Sequence, residues 1–353
     1  MAGYKLGGHI NIGYNPNFDP AVTDQYASTG ANATIVAGEG NTLKGLYNYI
    51  FGRDNQILGE TSFSHFVAGT GNVVSGNTHC HMVMGKSNTI QATATYSNAM
   101  GYLNTIKDGA AAATVGGAAS EVGGLASVAI GYVTSATGAY STAIGYQAKA
   151  SANSSTGLGY QGTGSATFAT GIGGKATATK AVAIGSGSQA QTSGSMAFGR
   201  GIMGAGRLGG IRFNANGAKS ANDSYQICQS LGATTDATAT KIYLASGGSS
   251  DGNLVIDTST CVHFDVIVQG TDDSSSTVGC IYRLEGVVNR DNNASNNPAF
   301  LGSVTKTVIH EEDAGMDAAI TINNTNKCLD LEVTGKAATN LNWLATWHLH
   351  QNQ

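Results

Sequence analysis

The residues of this chain whose types and spacing could do chemistry are two histidine pairs and a few acid- and amide-rich loops. The pairs are His79-Cys80-His81 and His348-Leu349-His350. On a strand, residues i and i+2 share a face. If such a pair faced the axis of a three-chain assembly, the imidazoles would form an octahedral set suited to a transition metal. The alternative is that these histidines are surface or packed core residues. No other cofactor is expected. The loop candidates are Asp251 and Asn253, Asp272 and Asp273, and Asn292 and Asn296. Asp and Asn suit hydroxyl-rich glycans, and they are also ordinary turn residues. The densest acidic cluster, His310-Glu311-Glu312-Asp313, reads as a solvated turn. Glu121 is the only acid between residues 109 and 199, which leaves a glycan hydrolase short of its paired carboxylates. There is no nucleophile elbow, phosphate loop or zinc signature. The chain reads as non-enzymatic.

The elements that must position these residues are set by a repeat. A short apolar run ends in Gly at positions 38, 52, 69, 85, 101, 116, 131, 145, 159, 173, 185 and 199. Five early copies read G-x-x-N-x-(apolar), with Asn41, Asn55, Asn72, Asn88 and Asn104 in the fourth place. A fixed short period means one small unit stacked many times. Each unit reads as two short strands and tight turns, with Gly where the chain bends or takes positive φ. Asn suits a left-handed turn, and stacked Asn side chains would form a ladder. In Ser127-Val128-Ala129-Ile130, Val128 and Ile130 point one way and Ala129 the other. Val128, Ile130, Ile144, Ile172, Ile184 and Phe198 are the expected trimer and core packing residues. The Ala face is expected to need a neighbour, because one coil is thin.

Composition narrows the function classes. Of 353 residues, 50 are Gly and 3 Pro, 11% are charged and the net charge is −4. The absence of a basic cluster gives nucleic-acid binding no support. No apolar run approaches the roughly 20 residues of a membrane span, so membrane insertion is not expected. The N-terminus shows no secretory h-region. The five cysteines are far apart and read as reduced and mostly buried, in a protein folded in a cytoplasm.

The phrase Ser-x-Ala-Ile-Gly-Tyr at a 14-residue period resembles the head repeats of trimeric autotransporter adhesins, across about residues 30–205. That resemblance implies a left-handed parallel β-roll with three chains sharing a core. The chain departs from the autotransporter pattern in lacking a signal peptide, heptad stalk and membrane anchor, and phage fibres use the same repeat.

After residue 205 the pattern changes to alternating segments: Tyr225 to Leu231, Lys241 to Leu244, Val262 to Val268, Gly279 to Val288, Val304 to Ile309, Ala318 to Ile322, Leu329 to Val333 and Leu341 to Leu349. About eight strands at this spacing fit an antiparallel β-sandwich of jelly-roll type. Tyr282 to Arg290, Leu301 to Val308, Leu331 to Lys336 and Trp343 to Thr346 resemble a C-terminal module of phage tail fibres. That resemblance implies an outward-facing trimeric knob.

The expected chain is all-β. It has an N-terminal attachment segment (1–30), a parallel β-roll shaft (31–205), a linker (206–224) and a C-terminal sandwich knob (225–353). The function expected is that of a homotrimeric phage virion fibre, assembled in the host cytoplasm. It would dock through its N-terminus on a tail or capsid protein and bind a host cell-surface glycan or protein. The alternatives are a capsid-mounted head fibre or decoration protein, a polysaccharide-degrading tail spike and a bacterial adhesin fragment.

Overall fold

A computed structural model describes residues 9–12, 34–43, 47–59, 63–76, 78–91, 93–200, 203–204, 210–214, 224–244, 254–275 and 277–352. These are all-β, as expected. Among them no helix is long and apolar enough to cross a membrane. The chain divides into two compact units, Met1–Thr177 and Ala178–Gln353.

The first unit is a stack of parallel coils. A typical coil carries one longer strand, such as Val128–Tyr132, and one two-residue strand, such as Ser135–Ala136. Each pairs in parallel register with its counterpart in the next coil: Val128 with Thr142, Ile130 with Ile144, and Ser135 with Lys149. The ladder begins earlier than the repeat suggested. His9–Ile12 pairs with Thr34–Ala37, so part of the expected attachment segment is already a strand of the stack. The rest of residues 1–30 lies outside the described residues.

The coil turns at two corners. One is left-handed at Ala126, Tyr140, Ser154 and Phe168, the other at Val133, Gln147 and Gln161. The glycine that ends the long strand has φ +132 at Gly145. A Cβ on Gly69 would collide with the carbonyl oxygen of Gly85 in the next coil, so the glycine is imposed by close approach as much as by φ. At one position the glycine series steps off this row. Gly117, with φ +97, pairs with Gly101 and Gly131, whereas Gly116 lies in the row of Met100 and Ile130.

The recurring Asn residues do form a ladder, although they do not take the left-handed conformation expected of them. The residue before them does, as at Asp54, Ser87 and Leu103. The Asn side chains point inward and are buried. Asn72 Oδ1 accepts from Asn88 N at 3.0 Å, and Asn72 Nδ2 donates to the Gly85 carbonyl at 2.9 Å. The pattern repeats at Asn55, Asn88 and Asn104. It satisfies corner amides and carbonyls that the strands leave unpaired. A second ladder runs through Asn48, His65, His81 and Ser97, each accepting from the backbone N–H of the following coil.

The inward residues taper along the stack. Ile50 and Ile57 are followed by Val67 and Val74, the short-strand row returns to Ile at Ile90 and Ile106, and only after Val115 and Val122 do both rows become Ala, at Ala129 and Ala136, all fully buried. Next come Gly157 and Gly164, where a Cβ would strike the backbone of the opposite wall. Coil length varies as well: paired residues Tyr49 and Phe66 are 17 apart, Val128 and Thr142 only 14. Length alone does not set the inner side chain: Val115 and Val122 are fully buried in the 14-residue coil that begins at Thr114.

The second unit holds the strands Val182–Ile184, Met196–Gly199 and Ile211–Asn214 and the sandwich. Ile211–Asn214 falls in the expected linker. It pairs in parallel with Met196–Gly199 and antiparallel with Ser224–Thr234, so the ladder has no open edge there. The first sheet runs Ser224–Thr234, Leu341–Asn352, Thr260–Asp272, Val278–Arg290, Thr305–Glu311, all antiparallel. In the second, Cys328–Thr334 pairs with Asp317–Asn323 on one side and with Ala239–Ile242 and Leu254–Val255 on the other. Each expected strand is present, most of them longer than the sequence suggested. Leu341, Trp343, Ala345, Trp347 and Leu349 face the core as their alternation implied. The indole nitrogens donate to Thr234 Oγ1 and Ser230 Oγ, each at 2.9 Å. All five cysteines are free; Cys228, Cys280 and Cys328 are buried, Cys261 is half-buried and Cys80 is exposed.

Candidate functional site

The outward face of the long strands is the most extensive candidate. In the first unit Ile130, Ile144, Leu158 and Ile172 stand in one row, in register from coil to coil. Ile130 keeps 42% of its surface and Ile144 39%. Val128 is half-buried on the same face. The expectation that the Ala face would need a neighbour is reversed. Ala129 and Ala143 fill the coil's own interior, and the Val and Ile side chains are turned outward. Ile184 and Phe198 stand half-buried on the same kind of face in the second unit.

Within the second unit a chain of rings runs from Phe198 across the sandwich sheet. Phe198 stacks on Phe213 at 5.5 Å and Phe213 on Tyr225 at 6.2 Å, while Tyr225 and His350 meet tilted at 4.8 Å, as do His350 and His263 at 5.7 Å. His348 and His350 do share the outer face, as the i, i+2 rule required. His348 Nδ1 is hydrogen-bonded to the Tyr225 hydroxyl. His263 Nε2 lies 3.2 Å from Glu285 Oε1. Arg283 clamps Asp265 with two hydrogen bonds of 2.9 and 2.8 Å, and this guanidinium holds the Asp265 carboxyl below its usual pKa.

The other histidine pair is separated. Cys80 sits in the left-handed region at φ +55, which turns the chain between the two histidines. His79 stacks outside on Phe63 at 5.2 Å, while His81 is buried inside and stacks on His65 at 4.9 Å. The strand rule therefore fails at this site, because the pair straddles a corner. Burial drives the His65 pKa down to about 3 and that of His81 down to about 4. Among the described residues no cluster of three or more His, Cys, Asp or Glu is placed to hold a metal.

The loop candidates do not converge. Asp272 Oδ1 accepts from Ser274 N and Oγ, each at 2.7 Å, and these bonds lower its pKa. Asp273 accepts from Asn342 Nδ2 at 2.7 Å. Asn296 Nδ2 donates to Asp291 at 2.6 Å, and Asn292 is exposed beside it. These two loops sit at opposite ends of the hairpin Thr260–Asp272 and Val278–Arg290, about 40 Å apart at ~3.3 Å per residue. Asp251 and Asn253 lie outside the described residues.

Sequence reasoning missed a groove of about 500 Å³ in the first unit, lined by Val133, Gln147, Lys149, Gln161, Thr163 and Lys175. The signal for it was the single 12-residue interval in the glycine series, from Gly173 to Gly185.

The repeats match a known type. Residues 123–148, 136–161 and 176–201 match the YadA head domain repeat. These segments are similar to that repeat in sequence as well as in period. No curated protein matches the sequence. Two solved structures align at the level of the chain trace. One is the tailspike protein gp49 of Acinetobacter baumannii bacteriophage Fri1, a capsular polysaccharide depolymerase (9% identity, 90% of this chain, 62% of that one, TM-score 0.28). The other is the tailspike of Acinetobacter baumannii phage AM24 (8% identity, 90% of this chain, 58% of that one, TM-score 0.23). The chain thus spans about three fifths of the length of each.

Proposed function

We propose that this chain is an adhesive, non-catalytic virion fibre of a phage. Three copies associate through the outward face of the coil stack, and the sandwich meets the host surface. The observation that carries this is the apolar row of Ile130, Ile144, Leu158 and Ile172, exposed or half-buried in the single chain although the coil interior is already filled by Ala or closed around Gly. A contiguous apolar face of this kind marks an interaction surface, and an in-register row suits identical partners related by rotation. Three copies of a weak surface contact would add by avidity. The N-terminal segment would dock on a tail or capsid protein, and the host ligand would be a cell-surface glycan or protein.

Antibody labelling of virions against residues 225–353, read by electron microscopy, tests this. Label at the tail supports host attachment. Label over the capsid replaces it with a head fibre, and no label on any particle overturns the virion reading. Release of sugar fragments from host polysaccharide by the purified protein would overturn the non-catalytic assignment.

A further inference from the structure

The groove over the narrow coils owes its existence to two departures from the repeat. Inside, Gly157, Gly164 and Gly171 replace the usual Ala or Val, and the coil walls close until a Cβ would strike backbone. Outside, a deletion removes part of one coil. From Thr156 to Thr163 the chain uses seven residues to pass from long strand to short strand; from Thr170 to Lys175 it uses five. The corner N–H bonds show where the two residues are lost. Gln147 N donates to Tyr132 O, Gln161 N to Tyr146 O, and Gly173 N to Leu158 O, each at 2.8 Å. Gly173 therefore takes the place of Gln161, and nothing takes the place of Gly159 and Tyr160. The ring stack Tyr132–Tyr146–Tyr160, spaced 5.4 and 5.3 Å, ends there with Tyr160 65% exposed.

The lining is chemically specific. Lys149 pairs in register with Thr163, and Thr163 with Lys175, so the two ammonium groups project from one row two coils apart. At about 4.8 Å per step that is ~10 Å between their Cα atoms, about the length of a disaccharide. Between residues 109 and 177 the only acid is Glu121, and Lys107 holds it at 2.6 Å. Glu121 lies in the same row two coils from Lys149, on the side away from Lys175, and its pairing with Lys107 leaves the stretch from Lys149 to Lys175 a local positive strip. Gln161 Nε2 donates to Gln147 Oε1 at 3.0 Å. This leaves the Gln161 oxygen and the Gln147 amino group to accept from and donate to hydroxyls. Val133 supplies an apolar end. The short-strand surface carrying this row is distinct from the apolar long-strand face, so covering that face leaves the groove open.

We propose that this groove binds a linear anionic polysaccharide, with Lys149 and Lys175 each meeting an acidic sugar and the Gln147–Gln161 pair and Thr163 reading hydroxyls between them. The site lies on the coil stack, away from the loop candidates for receptor contact. Its biological use rests on the adhesive reading, while the binding itself does not. The test uses the full chain in calorimetry against oligogalacturonate and polysialate, with dextran as the neutral polymer and polyphosphate as the non-sugar polyanion. The acidic polysaccharides should bind, weaken with added salt, and lose at least tenfold in affinity in Lys149→Gln/Lys175→Gln, since bonds to charged groups carry that much each. Both lysines are exposed, so circular dichroism should be unchanged. Flat titrations with both acidic polymers, equal binding of polyphosphate or dextran, or full affinity in the double variant would each overturn the proposal. Loss of binding in Asn292→Ala/Asn296→Ala but not in the lysine variant would keep the adhesive reading and remove the groove.

Discussion

Acid should unlock the coil stack at the His65–His81 pair. Both rings are buried, at 0% and 2% exposure, and stacked 4.9 Å apart. Each Nδ1 is already an acceptor: His65 Nδ1 takes His81 N at 3.1 Å, and His81 Nδ1 takes Ser97 N at 3.1 Å. A proton on His65 Nδ1 replaces a backbone bond with a clash of donors, one on His81 Nδ1 gives up the bond from Ser97 N although the Ser97 carbonyl lies 3.2 Å away, and either places a charge in the core beside another imidazole. Burial lowers the folded-state pKa values from 6.5 to about 3 and about 4. The sign follows directly. Below pH 6.5 the unfolded chain binds protons that the folded chain refuses, so stability present above 6.5 is lost as pH falls. By pH 4 each histidine withdraws about 3 kcal/mol, because every tenfold difference in proton affinity between the two states is worth about 1.4 kcal/mol. Denaturant unfolding followed by far-UV circular dichroism between about pH 7 and pH 4 would read this slope in wild type and in His65→Asn/His81→Asn. Asn suits the row, because Asn48 already occupies it and accepts from His65 N at 2.9 Å. The variant should lose much less stability over this interval. An equal slope in the two proteins would refute the argument, whatever their stabilities at neutral pH.

Other perturbations separate the fold's components. Asn72→Ala removes the acceptor of Asn88 N and the donor to Gly85 O inside the coil; a loss of about 3 kcal/mol is expected in chemical unfolding, and a loss below ~1 kcal/mol would show that the ladder is dispensable. Gly69→Ala should prevent soluble folding, since its Cβ meets Gly85 O at φ +122; a protein melting like wild type would contradict the close-approach reading. Ala143→Asp and Ile144→Asp are neighbours with opposite expectations. The first buries a charge inside the coil and should abolish folding, while the second leaves the coil folded and blocks assembly. Light scattering and circular dichroism on both would sink the face assignment if Ile144→Asp assembled normally.

Much of this architecture is legible in the sequence because the repeat states its own constraints. Glycine at Gly52, Gly69, Gly85 and Gly101 marks places where successive backbones nearly touch, and the Asn three residues on marks the corner it ties down. The face parity was harder to read. Val128 and Ile130 alternate with Ala129, and both sets are apolar, so pattern alone cannot say which set a narrow coil can contain. Only the coil itself decides it: Ile50 and Ile57 lie inside a 17-residue coil, Val115 and Val122 and then Ala129 and Ala136 inside 14-residue ones. His79 and His81 misled for a related reason. The i, i+2 rule holds on a strand, and Cys80 at φ +55 is a corner. The two loop candidates at Asp272 and Asn296 looked alike in composition, and only the pairing of the long hairpin places them at opposite ends.

The taper of the coil stack ties its stability to its assembly. A wide coil with Ile50 and Ile57 inside buries sizeable side chains on its own account, at roughly 0.8 kcal/mol per CH₂. A narrow coil built on Ala143, Ala150, Gly157 and Gly164 buries almost no side-chain carbon. Its backbone ladder must still offset the conformational entropy of fourteen ordered residues. The missing apolar burial is present on the chain, but on the outside, as Ile130, Ile144, Leu158 and Ile172. On the proposed assembly, then, dependence on neighbouring chains should rise along the stack, with the early coils holding their fold alone and the narrow ones needing partners. Hydrogen exchange on the assembly-blocked Ile144→Asp chain would show the gradient, with slow amides around Ile57 and Val74 and fast ones around Ala143 and Gly157. Uniform protection along the stack would mean that the single-chain ladder suffices, and that the apolar face serves something other than a shared core.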